Sequence, residues 1–398
     1  MVNVAEASAV VWASLFKSRP KSVQIEEAVG RVLAERIVAD RDFPPFNRVS
    51  MDGIAIQHTS FKAGSEFFVE AVQAAGEPQK KLMNVNHCLE VMTGAMLPEG
   101  TDTVIRYEDV KIDKDVATIQ IDEVSLGHNI HRQGQDARQN DVLLDSGIVL
   151  SPAEIALLAS VGKNKVEVFS LPKAAVVSSG DELVQVSSTP ASHQIRRSNT
   201  YALQAAMRSM EWESESFHLA DQKESIVKSL REIAKNYDVI ILSGGVSKGK
   251  FDYIPDALEE IGVKKLFHQV NQRPGKPFWF GVSENGKVVF ALPGNPVATY
   301  MCFYKYIKPW LFKSLGVEMS SIQANLASDF SFTPALTYFL QVEVKFENGK
   351  LMAYPNQGGG SGDFANLKNV SGFLELPADR SEFKAGEVFP YIPFRSLF

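Results

Sequence analysis

The chain has 398 residues, of which 45% are hydrophobic and 22% charged, with a formal net charge of −6 at pH 7. This composition is typical of a globular protein of two to four domains, and the negative charge argues against nucleic acid as the main partner. The sequence has no apolar run near the roughly 20 residues that cross a bilayer, so a membrane partner is not expected. The N-terminal residues include Glu6 and lack a basic segment, which argues against a signal peptide.

The cysteines and histidines show no metal-binding spacing. Cys88 and Cys302 are far apart, and we expect both to be buried thiols in a reducing compartment. These features together predict a cytoplasmic protein that acts on a small molecule.

The N-terminal third is predicted to change from helix to strand. Apolar positions near helical spacing predict helices over residues 5–38, with a break at Pro20. Residues 40–56 are expected to form a loop, because their prolines exclude a regular helix. Three β-like runs follow before residue 139, and they indicate a β-rich region. These runs are residues 67–72, 103–107 and 118–121.

A short helix is predicted next, over residues 151–162. Ser151 is suited to the N-cap position, Pro152 to the first helical position and Glu154 to the third, as in a capping box. From residue 173 to about residue 310 the pattern is that of an α/β domain, with helical spacing at 201–210 and 224–234.

The segment 238–258 is the most informative part of the α/β region. The apolar run 239–242 predicts a buried strand that glycines terminate. Gly244, Gly245 and Gly249 leave the backbone N–H groups open to an anionic group. Asp252 follows, just before a helical pattern. A strand, a glycine loop and a carboxylate in this order favour a phosphate site with room for a divalent cation, although a tight turn alone has similar glycines.

A second glycine loop follows a predicted strand at residues 174–177. Gly180 turns the chain there, and Asp181 and Glu182 place carboxylates at the end of the strand. Taken alone, this loop is also compatible with an ordinary connection between a strand and a helix.

A third loop follows a predicted strand at residues 288–292. Asn295 lies where a helix N-cap belongs, and Pro296 suits the first helical position. Ligands of open α/β sheets bind outside the carboxyl ends of the strands. The three loops are therefore predicted to converge on one pocket.

The C-terminal region is predicted to be all β. Residues 339–355 contain an alternating strand, the turn dipeptide Asn348-Gly349 and a second strand. The last 75 or so residues are therefore predicted to form a small β-barrel or sandwich.

Further polar clusters precede the α/β region. Ser50 and Asp52 adjoin a glycine, the dipeptide Thr93-Gly94 follows a strand, and Asp136 lies among arginines and a glycine. Taken singly, these residues are typical of solvated turns.

Six segments in chain order carry a resemblance to a known family. They are DFPPFNRVSMDGIAI, MTGAMLPEGTDTVI, SSGDELV, SGGVSKGKFDY, RPGKP and LPGNPVA. Through them, essentially the whole chain resembles the molybdopterin molybdenumtransferase family, which includes bacterial MoeA and the C-terminal domain of gephyrin. The resemblance implies an α/β and β multidomain fold.

The implied domain I is a helical linker domain of residues 1–42 and 141–170, and domain II is a β-rich insertion of residues 43–140. Domain III (171–320) is the molybdopterin-binding α/β domain with a doubly wound sheet. Domain IV (321–398) is a C-terminal β-barrel.

The resemblance also implies a reaction, in which molybdate is inserted into adenylylated molybdopterin and AMP is released, with Mg²⁺ as the cofactor. Catalytic roles are implied for Asp52, Asp136, Glu182 and Asp252. Metal ligation is implied for Glu182, Asp221, Asp52 and Asp136. Substrate contacts are implied for Thr93, Gly244, Gly245, Ser247, Gly249, Arg273, Lys276, Pro293, Asn295, Pro296 and Ser361.

Some of these roles have simple structural alternatives. Asp221 could be a helix N-cap, Arg273 and Lys276 a solvated basic turn, and Ser361 part of a flexible glycine loop. The implied assembly is a homodimer whose active site lies between domain III of one subunit and domain II of the other. A molybdopterin adenylyltransferase is expected to hand over the substrate.

The chain departs from the family pattern at three positions. Gln269 stands where a basic residue is frequent, Arg197 where an aspartate is common, and Gln135 where a glutamate is usual. Two other functions use related folds, namely molybdopterin adenylyltransferase and a non-catalytic scaffold. The N-terminal 170 residues argue against the first, and the retained carboxylates argue against the second.

Overall fold

The computed structural model describes residues 1–246 and 252–395. The N-terminal elements are, in chain order, α1 (Val4–Ala13), β1 (Pro20–Gln24), β2 (Ile37–Val38), β3 (Arg48–Val49), β4 (Gly53–Ile56), β5 (Glu66–Gln73), β6 (His87–Val91), β7 (Thr103–Arg106), β8 (Val110–Asp113), β9 (Val116–Ile119), β10 (Ile130–His131), β11 (Val142–Leu144), α2 (Pro152–Ser160) and β12 (Lys165–Phe169).

The central elements are β13 (Ala174–Ser179), β14 (Leu183–Val184), β15 (Ile195–Arg196), α3 (Ser198–Arg208), β16 (Ser214–Leu219), α4 (Lys223–Asn236), β17 (Val239–Ser243), α5 (Ile254–Glu260), β18 (Val263–His268), β19 (Gln272–Arg273), β20 (Trp279–Ser283), β21 (Val288–Leu292), α6 (Pro296–Cys302) and α7 (Lys308–Ser314). The C-terminal strands are β22 (Ile322–Leu326), β23 (Phe330–Ser331), β24 (Thr337–Glu347), β25 (Lys350–Pro355), β26 (Gly372–Leu376), β27 (Glu382–Phe383) and β28 (Val388–Pro393).

Two distant segments form one small unit near the N-terminus. Strand β1 pairs antiparallel with β12, and β2 pairs with β11. The apolar side chains of these strands share a core with helix α2. This core includes Leu33, which precedes β2, and Leu158 of α2. The helix predicted between Pro20 and residue 38 is therefore wrong. These residues form strand β1 and a short turn instead, because the pairing of β1 with residues 165–169 outweighs the local preference for a helix.

Two other predicted helices exist, namely α1 before Pro20 and α2 over residues 152–160. Helix α1 packs into the core of the central region through Val4, Ala7 and Val11. Helix α2 has the predicted capping box, in which the Ser151 backbone N–H donates to the Glu154 carboxylate at 2.8 Å. The predicted domain bounds stay a prediction.

The β-rich region is a curled six-stranded sheet with the strand order β7-β4-β6-β5-β9-β8. The three runs predicted to be strands form β5, β7 and β9, so these predictions are confirmed. The loop predicted for residues 40–56 is partly wrong, because β3 and β4 lie within it. Strand β4 is wholly buried between β6 and β7, so its pairing fixes the segment that follows Asp52.

The central region is an α/β unit whose sheet has the order β16-β13-β17-β21-β20-β18. The first four strands are parallel, β20 pairs antiparallel with β21, and β18 pairs antiparallel with β20, so only β20 runs in the opposite direction. Side chains of β13 alternate between two cores: Val176 packs on the face of α1, α3, α6 and α7, and Val177 packs on the face of α4 and α5. The doubly wound sheet and the strands and helices predicted for it are confirmed.

The C-terminal region is a closed barrel, as predicted. Strands follow in the order β24-β25-β22-β28-β26, and β24 also pairs with β26 to close the sheet. The predicted hairpin joins β24 and β25 through Asn348 (φ 49°) and Gly349 (φ 77°), the backbone that a type I′ turn requires.

Strand β19 belongs by sequence to the central region but pairs with β24 of the barrel. This pairing joins the loop that carries Arg273 to the barrel. Across residues 1–246 and 252–395, none of the helices combines the length and apolar character needed to cross a membrane.

The close packing around Gly53 gives a test of the curled sheet. A Cβ at this position would overlap the carbonyl oxygen of Ile105 and lie 2.7 Å from the Cα of Arg106. Gly53→Ala is therefore expected to lower the free energy of opening of β4 and β7 by about 1–3 kcal/mol, as overpacking does. Amide hydrogen exchange measures this change. In the control variant Gly362→Ala, the added Cβ meets no atom within 4 Å, and exchange in β4 and β7 should not change. Unchanged exchange in Gly53→Ala would show that this packing is wrong.

Candidate functional site

A cavity of about 260 Å³ lies at the carboxyl ends of the parallel strands. Strands β13, β17 and β21 are neighbours and run parallel, so the loops that follow them lie at one edge of the sheet. The cavity lies among these loops. The predicted site residues that line it are Glu182, Asp221, Gly244, Gly245, Asp252 and Pro293. The predicted convergence of the three glycine loops is therefore confirmed.

Carboxylates dominate the charge of this cavity. The backbone N–H of Asp221 donates to Oδ1 of Asp181 at 3.1 Å. Burial raises the pKa of Asp221, and the negative charges of Asp181, Glu182 and Asp252 add to the increase. The N-cap of α4 is Gln222, so Asp221 does not cap that helix. Its carboxylate is held among like charges, which a bound cation would relieve.

The glycine loop after β17 approaches its neighbours too closely for a side chain. Gly245 has φ 68°, and a Cβ there would lie 2.7 Å from both Ile254 Cγ1 and Ser179 Oγ. This packing leaves the backbone of the loop exposed to the cavity. Ser247 and Gly249, both predicted to contact substrate, lie outside the described residues.

A second cavity of about 300 Å³ adjoins the first, because Pro277 and Pro293 line both. It lies between the α/β unit and the barrel. The predicted substrate-binding residues that line it are Arg273, Lys276, Pro293, Asn295 and Ser361. Its basic side chains thus lie beside the acidic cavity, an arrangement suited to an anionic ligand that reaches from one cavity to the other.

A buried glutamine holds the loop that presents these cations. Gln272 is fully buried, and its Nε2 donates to the carbonyl oxygen of Gly275 at 3.0 Å. Its Oε1 accepts a hydrogen bond from the Tyr306 hydroxyl. Burial raises the pKa of Tyr306 far above its usual value, so this hydroxyl remains a donor. Arg273 and Lys276 are exposed on either side of this anchored turn.

Asn295 occupies the predicted N-cap position of α6, with Pro296 in the first turn, but its side chain does not cap the helix. Instead, Nδ2 of Asn295 donates to the Ser361 hydroxyl at 2.8 Å. The carbonyl oxygen of Ser361 accepts from the backbone N–H of Val297 at 3.2 Å. The glycine-rich loop of the barrel therefore satisfies a helix N-terminus of the α/β unit, and Ser361 has a defined place at the second cavity.

The remaining predicted residues lie in the β-rich region and line neither cavity. Oδ1 of Asp52 accepts from the backbone N–H of Thr93 at 2.6 Å. This hydrogen bond lowers the pKa of Asp52 and keeps its carboxylate ionised. The backbone N–H of Gly94 donates to the carbonyl oxygen of Val49 in β3, which ties the Thr93 turn to the segment before Asp52.

Asp136 also lies near β3, where it contacts His131 of β10, the strand that pairs with β3. Its Oδ1 lies 2.8 Å from Nε2 of His131, and Nδ1 of His131 lies 2.9 Å from a guanidinium nitrogen of Arg48. The predicted residues that the structure describes therefore form two groups within one chain: one surrounds the paired cavities, and the other surrounds β3.

The chemistry of the acidic cavity fits a hard cation such as Mg²⁺, whose preferred ligands are carboxylate and phosphate oxygens. The raised pKa of Asp221 supports this fit. Within residues 1–246 and 252–395, however, no three Asp, Glu, His or Cys side chains converge as a preformed metal cage. Any ion here must therefore take further ligands from outside this set, such as substrate or water.

The three departures from the family pattern have distinct surroundings. Arg197 precedes α3 and lies close to His218, whose pKa is lowered by burial and by the Arg197 charge. Oε1 of Gln135 accepts from the backbone N–H of Arg132 at 3.2 Å, which stabilises the turn before Asp136. Gln269 has φ 83°, and its carbonyl oxygen accepts from the Val2 backbone at 3.1 Å.

Several supporting residues gave no signal in the sequence. Gln272 and Tyr306 are 34 positions apart, and Arg48 and His131 are 83 apart. Each pair meets only through tertiary contacts, so neither local spacing nor a motif could have identified it.

Three protein-family models match successive parts of the chain. Residues 2–162 match the MoeA N-terminal region (domains I and II), 175–313 match a probable molybdopterin binding domain, and 323–394 match the MoeA C-terminal region (domain IV). A molybdopterin molybdenumtransferase of Synechocystis sp. is 39% identical to the chain, over 98% of this chain and 99% of the relative. One from Staphylococcus epidermidis is 30% identical, over 98% and 95% of the two chains.

Solved structures agree. The molybdopterin biosynthesis MoeA protein of Pyrococcus horikoshii has a TM-score of 0.85 and 28% identity, over 99% of this chain and 100% of that one. The chain therefore belongs to the molybdopterin molybdenumtransferase (MoeA) family.

The raised pKa of Asp221 predicts a pH-dependent stability. When the folded pKa of a carboxyl group exceeds its unfolded value of about 3.9, the free energy of unfolding falls as the pH rises from the unfolded pKa to the folded pKa. Asp221→Asn removes this cost, so the variant should be more stable than the wild type at neutral pH. The difference should shrink as the pH falls and vanish below about pH 3.9. Denaturant unfolding of the metal-free protein between pH 4 and 8 measures it.

The matched control is Asp379→Asn, which changes an exposed carboxylate of the barrel region. Its stability difference from the wild type should not vary in the same way with pH. If Asp221→Asn is less stable than the wild type at every pH, the repulsion inferred for the acidic cavity is wrong.

Proposed function

We propose that this chain is a molybdopterin molybdenumtransferase, which inserts molybdate into adenylylated molybdopterin and releases AMP. The adjoining acidic and basic cavities at the carboxyl edge of the parallel sheet carry this proposal. The substrate joins a pterin phosphate to AMP, so it has a pyrophosphate that needs cations and N–H donors. Its own dithiolene sulfurs hold the molybdenum, so no protein thiolate is needed.

The two cavities divide the recognition of this substrate. The backbone of Gly244 and Gly245 would approach the phosphate, with the N–H of Gly245 as the donor, because the N–H of Gly244 already donates to the carbonyl oxygen of Leu292. Arg273 and Lys276 would supply charge-assisted hydrogen bonds to phosphate. Asn295 and Ser361, already joined to each other, would orient the part of the ligand in the second cavity. Asp252 would hold the ribose or the cation.

We propose Mg²⁺ as the cofactor, with Glu182 and Asp221 as the ligands from the acidic cavity. A bound Mg²⁺ would neutralise charge on the pyrophosphate and favour departure of AMP. Asp52 and Asp136 would contribute further carboxylates that position the attacking oxygen, with Thr93 fixing Asp52 through its backbone N–H.

These last carboxylates line neither cavity of their own chain, which supports a homodimer. In such a dimer, the region around β3 of one copy would face the cavities of the other. We further propose that a molybdopterin adenylyltransferase delivers the adenylylated substrate. Cys88 and Cys302 are both free and buried, in keeping with a location in the reducing cytoplasm.

Release of AMP tests the proposal directly. The wild-type protein, given adenylylated molybdopterin, molybdate and Mg²⁺, should release AMP in a molybdate-dependent manner. Glu182→Gln and Asp136→Asn should lower kcat on the order of 100-fold or more, since each removes a charge that acts in the transition state. Substrate binding should be retained, because the phosphate contacts are intact.

The matched control is Glu260→Gln, an exposed position at the end of α5, which should turn over like the wild type. A wild-type protein that binds the substrate without releasing AMP would contradict the proposed reaction. Normal turnover by both variants over a range of Mg²⁺ concentrations would contradict the carboxylate roles.

A further inference from the structure

The pairing of two short strands brings Arg48 and His131 together. Strands β3 and β10 are antiparallel, and His131 lies directly opposite Arg48. Residues directly opposite each other in such a pair project to the same face of the sheet. A guanidinium nitrogen of Arg48 thereby reaches Nδ1 of His131 at 2.9 Å.

A tight turn follows His131 and reverses the chain. Asp136 thereby contacts the imidazole ring of His131 on the side opposite to Arg48. The Gln135 backbone N–H donates to the carbonyl oxygen of Arg132 at 3.1 Å, which closes the turn. The backbone N–H of Asp136 donates to the carbonyl oxygen of Phe43 at 2.8 Å. With its backbone fixed, Asp136 places Oδ1 2.8 Å from Nε2 of His131.

The chemistry of the three groups defines the direction of both hydrogen bonds. A guanidinium group has only donors, so Nδ1 of His131 must be the acceptor from Arg48. The proton of the neutral ring is therefore on Nε2, which donates to the Asp136 carboxylate. Arg48 thus selects the tautomer of His131 that can hold Asp136.

We propose that His131 is a positioning residue that, set by Arg48, holds the Asp136 carboxylate in its reactive orientation. The inference rests on the proposed function, in which Asp136 acts in molybdate insertion. The Asp136 side chain is 56% exposed, so its rotamer is otherwise weakly constrained by packing. The hydrogen bond from His131 occupies Oδ1 and leaves Oδ2 available toward the ligand.

A surface ion pair of no consequence is the competing description, since exposed pairs contribute only about 0–1 kcal/mol to stability. The two descriptions differ in what a substitution does. An incidental pair can be lost without effect on turnover. Loss of a positioning contact next to a reactive carboxylate typically costs about 10–100-fold in activity.

The first arm of the test needs no activity. Nitrogen-15 spectra of histidine-labelled full-length protein at neutral pH should show the His131 ring as the Nε2–H tautomer. In Arg48→Met this preference should weaken, because the donor that selects it is gone. A His131 ring in the Nδ1–H tautomer in the wild type would overturn the proposal.

The second arm compares two substitutions of His131 in the AMP-release assay. His131→Leu should lower kcat about 10–100-fold with little change in KM. His131→Gln should restore much of the loss, because its amide can accept from Arg48 and donate to Asp136. Equal loss in both variants, or wild-type turnover in His131→Leu, would overturn the proposal.

A third arm separates this inference from the proposed function. In an Asp136→Asn background, His131→Leu should cause little further loss, because the two residues act through one contact. Additive losses would overturn the positioning role. Wild-type turnover by Asp136→Asn alone would overturn it too, together with the role proposed for Asp136, even where the tautomer is as expected. If the wild type releases no AMP although His131 has the expected tautomer, the proposed reaction is wrong, whereas the arrangement of Arg48, His131 and Asp136 is as inferred.

Discussion

Parallel strands end at a common edge, and in this protein that edge brings like charges together. The loops after β13, β16 and β17 carry Glu182, Asp221 and Asp252 into one cavity. Their mutual repulsion adds to the effect of burial on the pKa of Asp221. Apolar packing on both faces of the sheet holds the strands in this arrangement. The fold therefore stabilises a concentration of negative charge that a cation would neutralise.

The basic side of the site depends on the junction between the α/β unit and the barrel. Strand β19 pairs with β24, and buried Gln272 fixes the turn between Arg273 and Lys276. The contact of Asn295 with Ser361 joins the same two regions beside the acidic cavity. A ligand that bridges the two cavities is thus surrounded by positions that the domain junction holds in place.

Local sequence features predicted much of this fold. The strands before each glycine loop, the capping box of α2 and the hairpin at Asn348 each follow from nearby residues, so the convergence of the loops could be inferred. The helix predicted for residues 20–38 is wrong, because their apolar spacing is also satisfied by pairing with residues 165–169, far along the chain. Periodicity contains no information about such distant partners.

The finer parts of the site were beyond prediction for the same reason. Ser361 meets Asn295 across 66 positions, and Arg48 meets His131 across 83. Each contact requires the register of a tertiary pairing. The resemblance to the family identified Asp136 and Ser361 as candidates, whereas the residues that orient them are evident only in the folded chain.

The separation of the site into two groups of residues is the central feature of the account. Within one chain, the residues around β3 line neither cavity, so we infer that each active site combines the cavities of one copy with the β3 region of another.

Complementation in mixed dimers tests this most directly. Asp136→Asn and Glu182→Gln, each expected to have a kcat about 100-fold or more below the wild type when tested alone, are unfolded, mixed and refolded together, and AMP release is measured. The account predicts that the mixture regains about a quarter of the wild-type activity, since half of the dimers are mixed and each has one intact site. A mixture as inactive as its components, with mixed dimers shown to be present, would contradict it.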